Sequence, residues 1–224
     1  MGIKSEQLPF DLGHRLANER EDFWVARSNR DAVAWLDKWP DWQTPALTIF
    51  GPAASGKTHL LRVWQRKSAA LEILPENIAA VPADQMLGTS SSAMIDDVAQ
   101  VIGNRAAEDT LFHLYNLVKE RGGNLLMTAD KPVGEWGITL PDLKSRLLAA
   151  PAVEVGSPDD ELMAVVLSKL FSDRQIFVSQ EVVAFILPRI ERSFLSLRDI
   201  VNKIDRKALA EKRPVTIPLV REVM

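Results

Sequence analysis

Eight consecutive residues carry the strongest chemical signal in the chain: Gly51, Pro52, Ala53, Ala54, Ser55, Gly56, Lys57 and Thr58. They match G-x-x-x-x-G-K-[ST], a pattern in which glycines let the backbone curl until its N–H groups converge on phosphate oxygens. A lysine at position 57 neutralises the β- and γ-phosphates of a nucleotide, and the hydroxyl at Thr58 reaches Mg²⁺. The helix that follows presents its positive N-terminal end to the same anion, with His59 in its first turn beside the phosphates. The chemistry implied is the binding of a nucleoside di- or triphosphate.

Such a loop works with an acid at the tip of a second buried strand. Met94-Ile95-Asp96-Asp97 supplies one: Asp96 for the magnesium shell and Asp97 to orient a water, the alternative being a solvated acidic turn. No glutamate follows Asp96, so vigorous intrinsic hydrolysis is not expected. Asp130, in Thr128-Ala129-Asp130-Lys131-Pro132, or Thr128 itself, stands where a γ-phosphate is sensed; the plainer reading is a turn residue before a proline. Two arginines have positions from which to reach phosphate. Arg146 lies in a short rim helix, from which an arginine can stabilise transition-state charge on a neighbouring molecule's nucleotide, an effect of about 10³ to 10⁵ in rate. On pattern alone it reads as a surface charge, and Arg198 as a charge near a helix N-terminus. His14, His59 and His113 lack metal-ligand spacing, and Trp35, Trp39 and Trp42 read as core cover.

The elements that must position these groups follow from periodicity. Residues 28–39 have helical spacing with Ser28 as N-cap; residues 46–50 form an apolar run ending at Gly51, a buried parallel strand. A helix is predicted over 56–70, a weak strand over 78–81, strands over 93–95, 124–128 and 152–155, and an amphipathic helix over 108–121. Strands alternating with helices predict a parallel sheet covered on both faces. After Ser157 the pattern becomes helical, over 159–172, 180–190 and 195–211, which predicts a small all-helical lid. The expected division is an extended tail over 1–21, an α/β nucleotide-binding domain over 22–156 and a lid over 157–224.

Bulk composition narrows the classes. With 27 basic and 30 acidic residues the net charge is −3, which argues against general duplex-DNA binding, a task that needs a basic excess. There are no cysteines, so disulfides and thiolate metal sites are excluded and a reducing cytoplasm is expected. No apolar run approaches the roughly 20 residues that span a bilayer, so no membrane association is expected.

Taken together, these segments resemble the DnaA/Hda family of AAA+ replication proteins over nearly the whole chain. The likeness runs from Phe23-Trp24-Val25-Ala26 with Ser28-Asn29, through the phosphate loop and Met94-Ile95-Asp96-Asp97, to the segments holding Asp130, Arg146 and Arg198. The resemblance implies a P-loop AAA+ sheet with a helical lid, ADP or ATP with Mg²⁺ as cofactors, and Val25 and Asn29 on the adenine side. It implies that Asp130 is the first sensor, Arg198 the second, and Arg146 an arginine finger, which reverses the surface-charge reading of that residue. After Arg146 the chain reads Leu147-Leu148-Ala149-Ala150-Pro151, departing from the Trp-Gly often found there. Gln7-Leu8-Pro9-Phe10-Asp11-Leu12 resembles the family's sliding-clamp-binding peptide, which places Leu8, Phe10 and Leu12 in an apolar groove with Gln7 at its edge. The family's initiator carries a DNA-binding domain after the lid, and a longer helical segment than there is room for between Val81 and Asp96; this chain stops at Met224. The expectation is a negative regulator of replication initiation. Its partners would be the initiator DnaA and the sliding clamp, with homo-oligomerisation open. The rivals are a self-contained ATPase or loader-like protein and a nucleotide-stabilised adaptor.

Overall fold

A computed structural model describes residues 25–224. The tail over 1–21, with Gln7, Leu8, Phe10 and Leu12, lies outside the described residues, as do Phe23 and Trp24.

Five strands form one parallel sheet: β1 (Ala46–Phe50), β2 (Leu71–Glu72), β3 (Ala93–Ile95), β4 (Leu125–Ala129) and β5 (Ala152–Glu154), in the order β2-β3-β4-β1-β5. Ala46 of β1 sits opposite Leu125 of β4, and Phe50 opposite Ala129. Both strands are central and covered on both faces, which is why they read as continuous apolar runs rather than alternating ones. The alternation appears in where side chains go. Leu125, Met127 and Ala129 join the core under α5 (Arg105–Glu120) and α6 (Pro141–Ala149), whereas Leu126 joins the opposite core under α1 (Arg30–Asp37) and α2 (Lys57–Ser68). In that second core Trp42 stacks on Trp64 at 5.6 Å between ring centroids, and Trp39 meets Trp64 edge-on, so the tryptophans cover the sheet as expected.

Two expectations are corrected here. Residues 78–81 are not a strand: Pro75 at the first position of α3 (Pro75–Ile78), with Glu76 in its first turn, starts a short helix. The amide of Val81 then bonds back to Asn77, and the second strand is the two-residue β2 that follows α2. A further short helix, α4 (Ala83–Leu87), lies before β3. The N-cap position of the first helix is Asn29 rather than Ser28, and its side chain makes no hydrogen bond to the first turn.

The C-terminal third is helical: α7 (Asp160–Ser172), α8 (Gln180–Ile186), α9 (Phe194–Glu211) and α10 (Ile217–Arg221). Asp159, Ser179 and Ser193 accept hydrogen bonds from the first-turn amides of α7, α8 and α9. The second of these was expected to reach residue 190; Pro188 has no amide hydrogen to donate, and the α-helix gives way at Ile186 to a tighter turn over Leu187–Arg189. The helices enclose their own core, in which Phe171, Leu167, Ile186, Leu197, Val201 and Leu219 are buried. Among the described residues no helix is long and apolar enough to cross a membrane.

Candidate nucleotide site

The C-terminal ends of the parallel strands converge on one edge of the sheet, where open α/β sheets form their binding crevice. Gly51 follows directly on β1, Asp96 on β3 and Asp130 on β4. The loop between β1 and α2 requires its glycines. Gly51 has φ +153°, and a Cβ there would lie 2.0 Å from the Val155 carbonyl oxygen. At Gly56, φ is +102° and a Cβ would come within 2.8 Å of the Phe194 ring. Ala54, between them, adopts the left-handed region as well. Pro52 and Ala53 form the exposed outer turn of the loop.

The polar groups form two connected sets. Lys57 is buried, and its Nζ donates to the carbonyls of Gly51 at 2.7 Å and Pro52 at 2.9 Å and to Asp130 Oδ1 at 2.8 Å. Thr58 Oγ1 donates to Asp96 Oδ2 at 2.8 Å, and Thr128 Oγ1 donates to the other carboxylate oxygen at 2.5 Å. The Asp97 amide in turn donates to Thr128 Oγ1 at 2.8 Å. Asp97 itself is left-handed, φ +53°, with its carboxylate accepting from Gln100 Nε2 at 2.7 Å. The sequence left open whether Thr128 or Asp130 belongs here. Both do, in different ways: Thr128 ties the two acids together, and Asp130 meets the lysine.

A cleft of about 370 Å³ opens between this loop and the lid, lined by residues that include Asn29, Lys57, Thr58 and His59 on one side and Leu162, Phe194 and Arg198 on the other. Asn29 is buried, and its Oδ1 accepts from the Ala26 amide at 2.8 Å. Phe194 opens α9 over Gly56, and its amide reaches the Ala54 carbonyl at 3.4 Å, so the lid rests on the phosphate loop. The lid wall was not anticipated: Leu162, Val166 and Leu170 repeat every four residues along α7 and read in the sequence as ordinary core spacing. Val25 is 46% exposed and is not among the residues lining the cleft.

These residues fit a nucleotide and a hard cation. Two glycines leave room that any Cβ would fill, Ser55 Oγ is buried without a hydrogen-bond partner, and a half-buried carboxylate beside a hydroxyl is an oxygen donor set of the kind Mg²⁺ takes.

Arg146 lies elsewhere. It sits in the last turn of α6, half-buried, with its guanidinium 4.5 Å from the Phe112 ring centroid and 5.6 Å from that of Tyr115, both on α5. Burial pushes the Tyr115 phenol up, an effect that the Arg146 charge opposes. Among the described residues no carboxylate pairs with this guanidinium, and it does not line the cleft.

Comparison with known proteins agrees with this geometry. The Hda lid-domain family matches residues 159–224. A protein of Haemophilus influenzae, itself uncharacterized, is 30% identical over 192 residues, covering 82% of this chain and 83% of the relative. The chain belongs to the DnaA/Hda family of AAA+ proteins. Solved structures share the fold at low identity. Domain III of the Thermotoga maritima replication initiation protein DnaA superposes with a TM-score of 0.80 at 19% identity, over 94% of this chain and 98% of that one. DnaA of Aquifex aeolicus, solved with AMPPCP, gives 0.72 at 17% identity, over 86% of this chain and 67% of the other. RuvB of Thermotoga maritima, a more distant AAA+ protein, gives 0.67 at 14% identity, over 88% of this chain and 67% of that one. The parallel sheet with flanking helices and the C-terminal helical lid are the frame this chain shares with these AAA+ proteins.

Proposed function

We propose that this protein is a cytoplasmic negative regulator of replication initiation that binds adenine nucleotide in its own cleft and acts on ATP held by the initiator DnaA. The observation that carries the reading is the position of Arg146: a cation without a carboxylate partner among the described residues, on a rim helix away from the protein's own cleft. An arginine so placed is of use to a neighbouring molecule's nucleotide rather than to its own.

In this reading the backbone from Gly51 through Pro52, Ala53, Ala54, Ser55 and Gly56 cradles the phosphates of ADP or ATP, and Lys57 and Arg198 neutralise them from opposite sides. Thr58 and Asp96 would hold Mg²⁺ by oxygen contacts, and the ion would offset phosphate charge. Asn29 and His59, which line the cleft, flank the base and phosphate ends, whereas Val25 lies outside its lining. Asp130 answers the γ-phosphate by keeping or releasing Lys57. Asp97 is the group available to orient a water; Gln100 engages one of its two carboxylate oxygens, and no glutamate follows Asp96, which supports weak turnover by the chain alone. Gln7, Leu8, Phe10 and Leu12 dock on the DNA-loaded sliding clamp and so bring Arg146 to initiator bound nearby.

The test is single-turnover hydrolysis of initiator-bound ATP in the presence of clamp-loaded DNA. Clamp-dependent acceleration by the wild type that disappears in Arg146→Ala supports the reading. No acceleration by the wild type, with clamp and nucleotide bound, replaces it with an adaptor that uses nucleotide for structure alone.

A further inference from the structure

Glu108 is fully buried, and among the described residues no lysine or arginine pairs with it. An uncompensated buried carboxylate is costly, so its solvation must come from hydrogen bonds. It receives them from the Gly103 amide at 2.8 Å, the Thr139 amide at 2.9 Å, the Thr139 hydroxyl at 2.7 Å and the Leu140 amide at 2.8 Å. If the carboxylate served only to cap α5, its donors would come from the start of that helix. Only Gly103 does. The other three come from the segment leading into α6, 31 and 32 residues further along, and Leu140 is the residue that caps α6 before Pro141.

The same face of α5 holds the other end of α6. Phe112 and Tyr115 stand four and seven residues beyond Glu108, one helical stripe, and their rings carry the guanidinium of Arg146 in the last turn of α6. One stripe thus grips α6 twice, by charge at its beginning and by aromatic faces at its end.

We propose that Glu108, through Thr139 and Leu140, is a positioning residue that sets where α6 presents Arg146. The inference rests on the action of Arg146 on initiator-bound ATP proposed above. A glutamine in its place keeps the size but turns an NH₂ group toward donors that need acceptors.

The experiment uses the full chain with initiator-bound ATP and clamp-loaded DNA, titrating this protein under single-turnover conditions. Glu108→Gln is expected to lower the maximal hydrolysis rate by about 10- to 100-fold, the scale of an ångström-sized misplacement, while the half-saturating concentration and its own ADP affinity stay unchanged. Thr139→Ala loses less and Thr139→Ser restores the rate; these two carry the test if Glu108→Gln does not fold. In an Arg146→Ala background Glu108→Gln adds no further loss. Tyr115 is the only tyrosine of the chain, so its ring resonances report the α5–α6 contact directly, and they shift in Glu108→Gln. A wild-type maximal rate, a further loss in the Arg146→Ala background, or unmoved Tyr115 resonances each overturn the positioning role. Arg146→Ala with an unchanged rate instead overturns the functional reading and this role with it, so the two failures are distinct.

Discussion

The phosphate loop and the ledge that holds Arg146 are built by opposite means. The loop is eight neighbouring residues whose shape is enforced by local backbone: two glycines and an alanine at positive φ, closed by Lys57 on its own carbonyls. The ledge is assembled from α5 and α6, and the contacts described between α5 and the α6 side join residues 31 or more positions apart. A local site is damaged by changing its own residues. An assembled one can be damaged by a residue such as Glu108, which never approaches the reacting atoms. In the function proposed above the two sites are also chemically separate, one serving the chain's own nucleotide and the other a partner's, and substitutions should divide accordingly.

The largest division is expected between Arg146 and Lys57. Arg146→Ala should lower stimulated hydrolysis of initiator-bound ATP by about 10³-fold or more, with ADP affinity of this chain unaltered in calorimetric titration. Lys57→Ala should do the reverse, weakening ADP binding by about 10- to 100-fold, the value of a lost charge-assisted hydrogen bond. If Lys57→Ala abolished stimulation while ADP remained bound, the separation of the two sites would be wrong.

A smaller effect tests whether the loop is as self-contained as its sequence suggests. Gly56→Ala places a methyl group 2.8 Å from Phe194 at φ +102°, so it meets both backbone strain and the lid. It should destabilise the fold by about 1–3 kcal/mol in denaturant unfolding. Adding Phe194→Ala should recover the steric part and leave the backbone part. Full recovery would place the whole cost in the lid contact, and none would place it in the loop.

This difference in construction also governs what was legible beforehand. The loop, Asp96, the central strands and the onset of the lid could be read from the sequence because each is encoded by neighbours: a contiguous motif, an apolar run, a proline followed by acids. The two-residue β2 could not, since it lies at the sheet edge and has too little length to show a period, whereas the apolar Ile78-Ala79-Ala80-Val81 imitated a strand although Pro75 had already begun a helix. Thr128 and Asp130 were both candidates, but which partner each meets, Asp96 and Asp97 for Thr128 and Lys57 for Asp130, depends on strand order. Glu108 looked like one more charge on an amphipathic helix. Nothing nearby in sequence indicates that its donors are Thr139 and Leu140, and the resemblance to a family drew attention to Arg146 without indicating what holds it.

The smallest effect separates the buried ledge from the protein's exposed charges by pH. At Glu108 burial pushes the carboxyl up, but the hydrogen bonds from Thr139, Gly103 and Leu140 outweigh it and hold the group below the usual glutamate range. A depressed folded value means that the associated stability is present above the unfolded pKa of about 4.3 and is lost as pH falls through the folded one. Glu211 and Glu222 are lowered as well, Glu211 by hydrogen bonds from Lys207 and then Arg213, Glu222 chiefly by Lys207, so acid weakens the end of the lid in the same direction. Those groups are at the surface, and salt should screen their share, whereas the donors around Glu108 are unaffected by it. Thermal unfolding between about pH 7 and pH 3, repeated in about 0.5 M salt, should therefore retain part of its acid sensitivity. Glu108→Gln, about 1–3 kcal/mol less stable near neutrality because buried donors lose an acceptor, should lack that retained part. Acid sensitivity that vanishes entirely in salt would mean that the ledge is held by its aromatic end alone, and that α6 is free to move at its beginning.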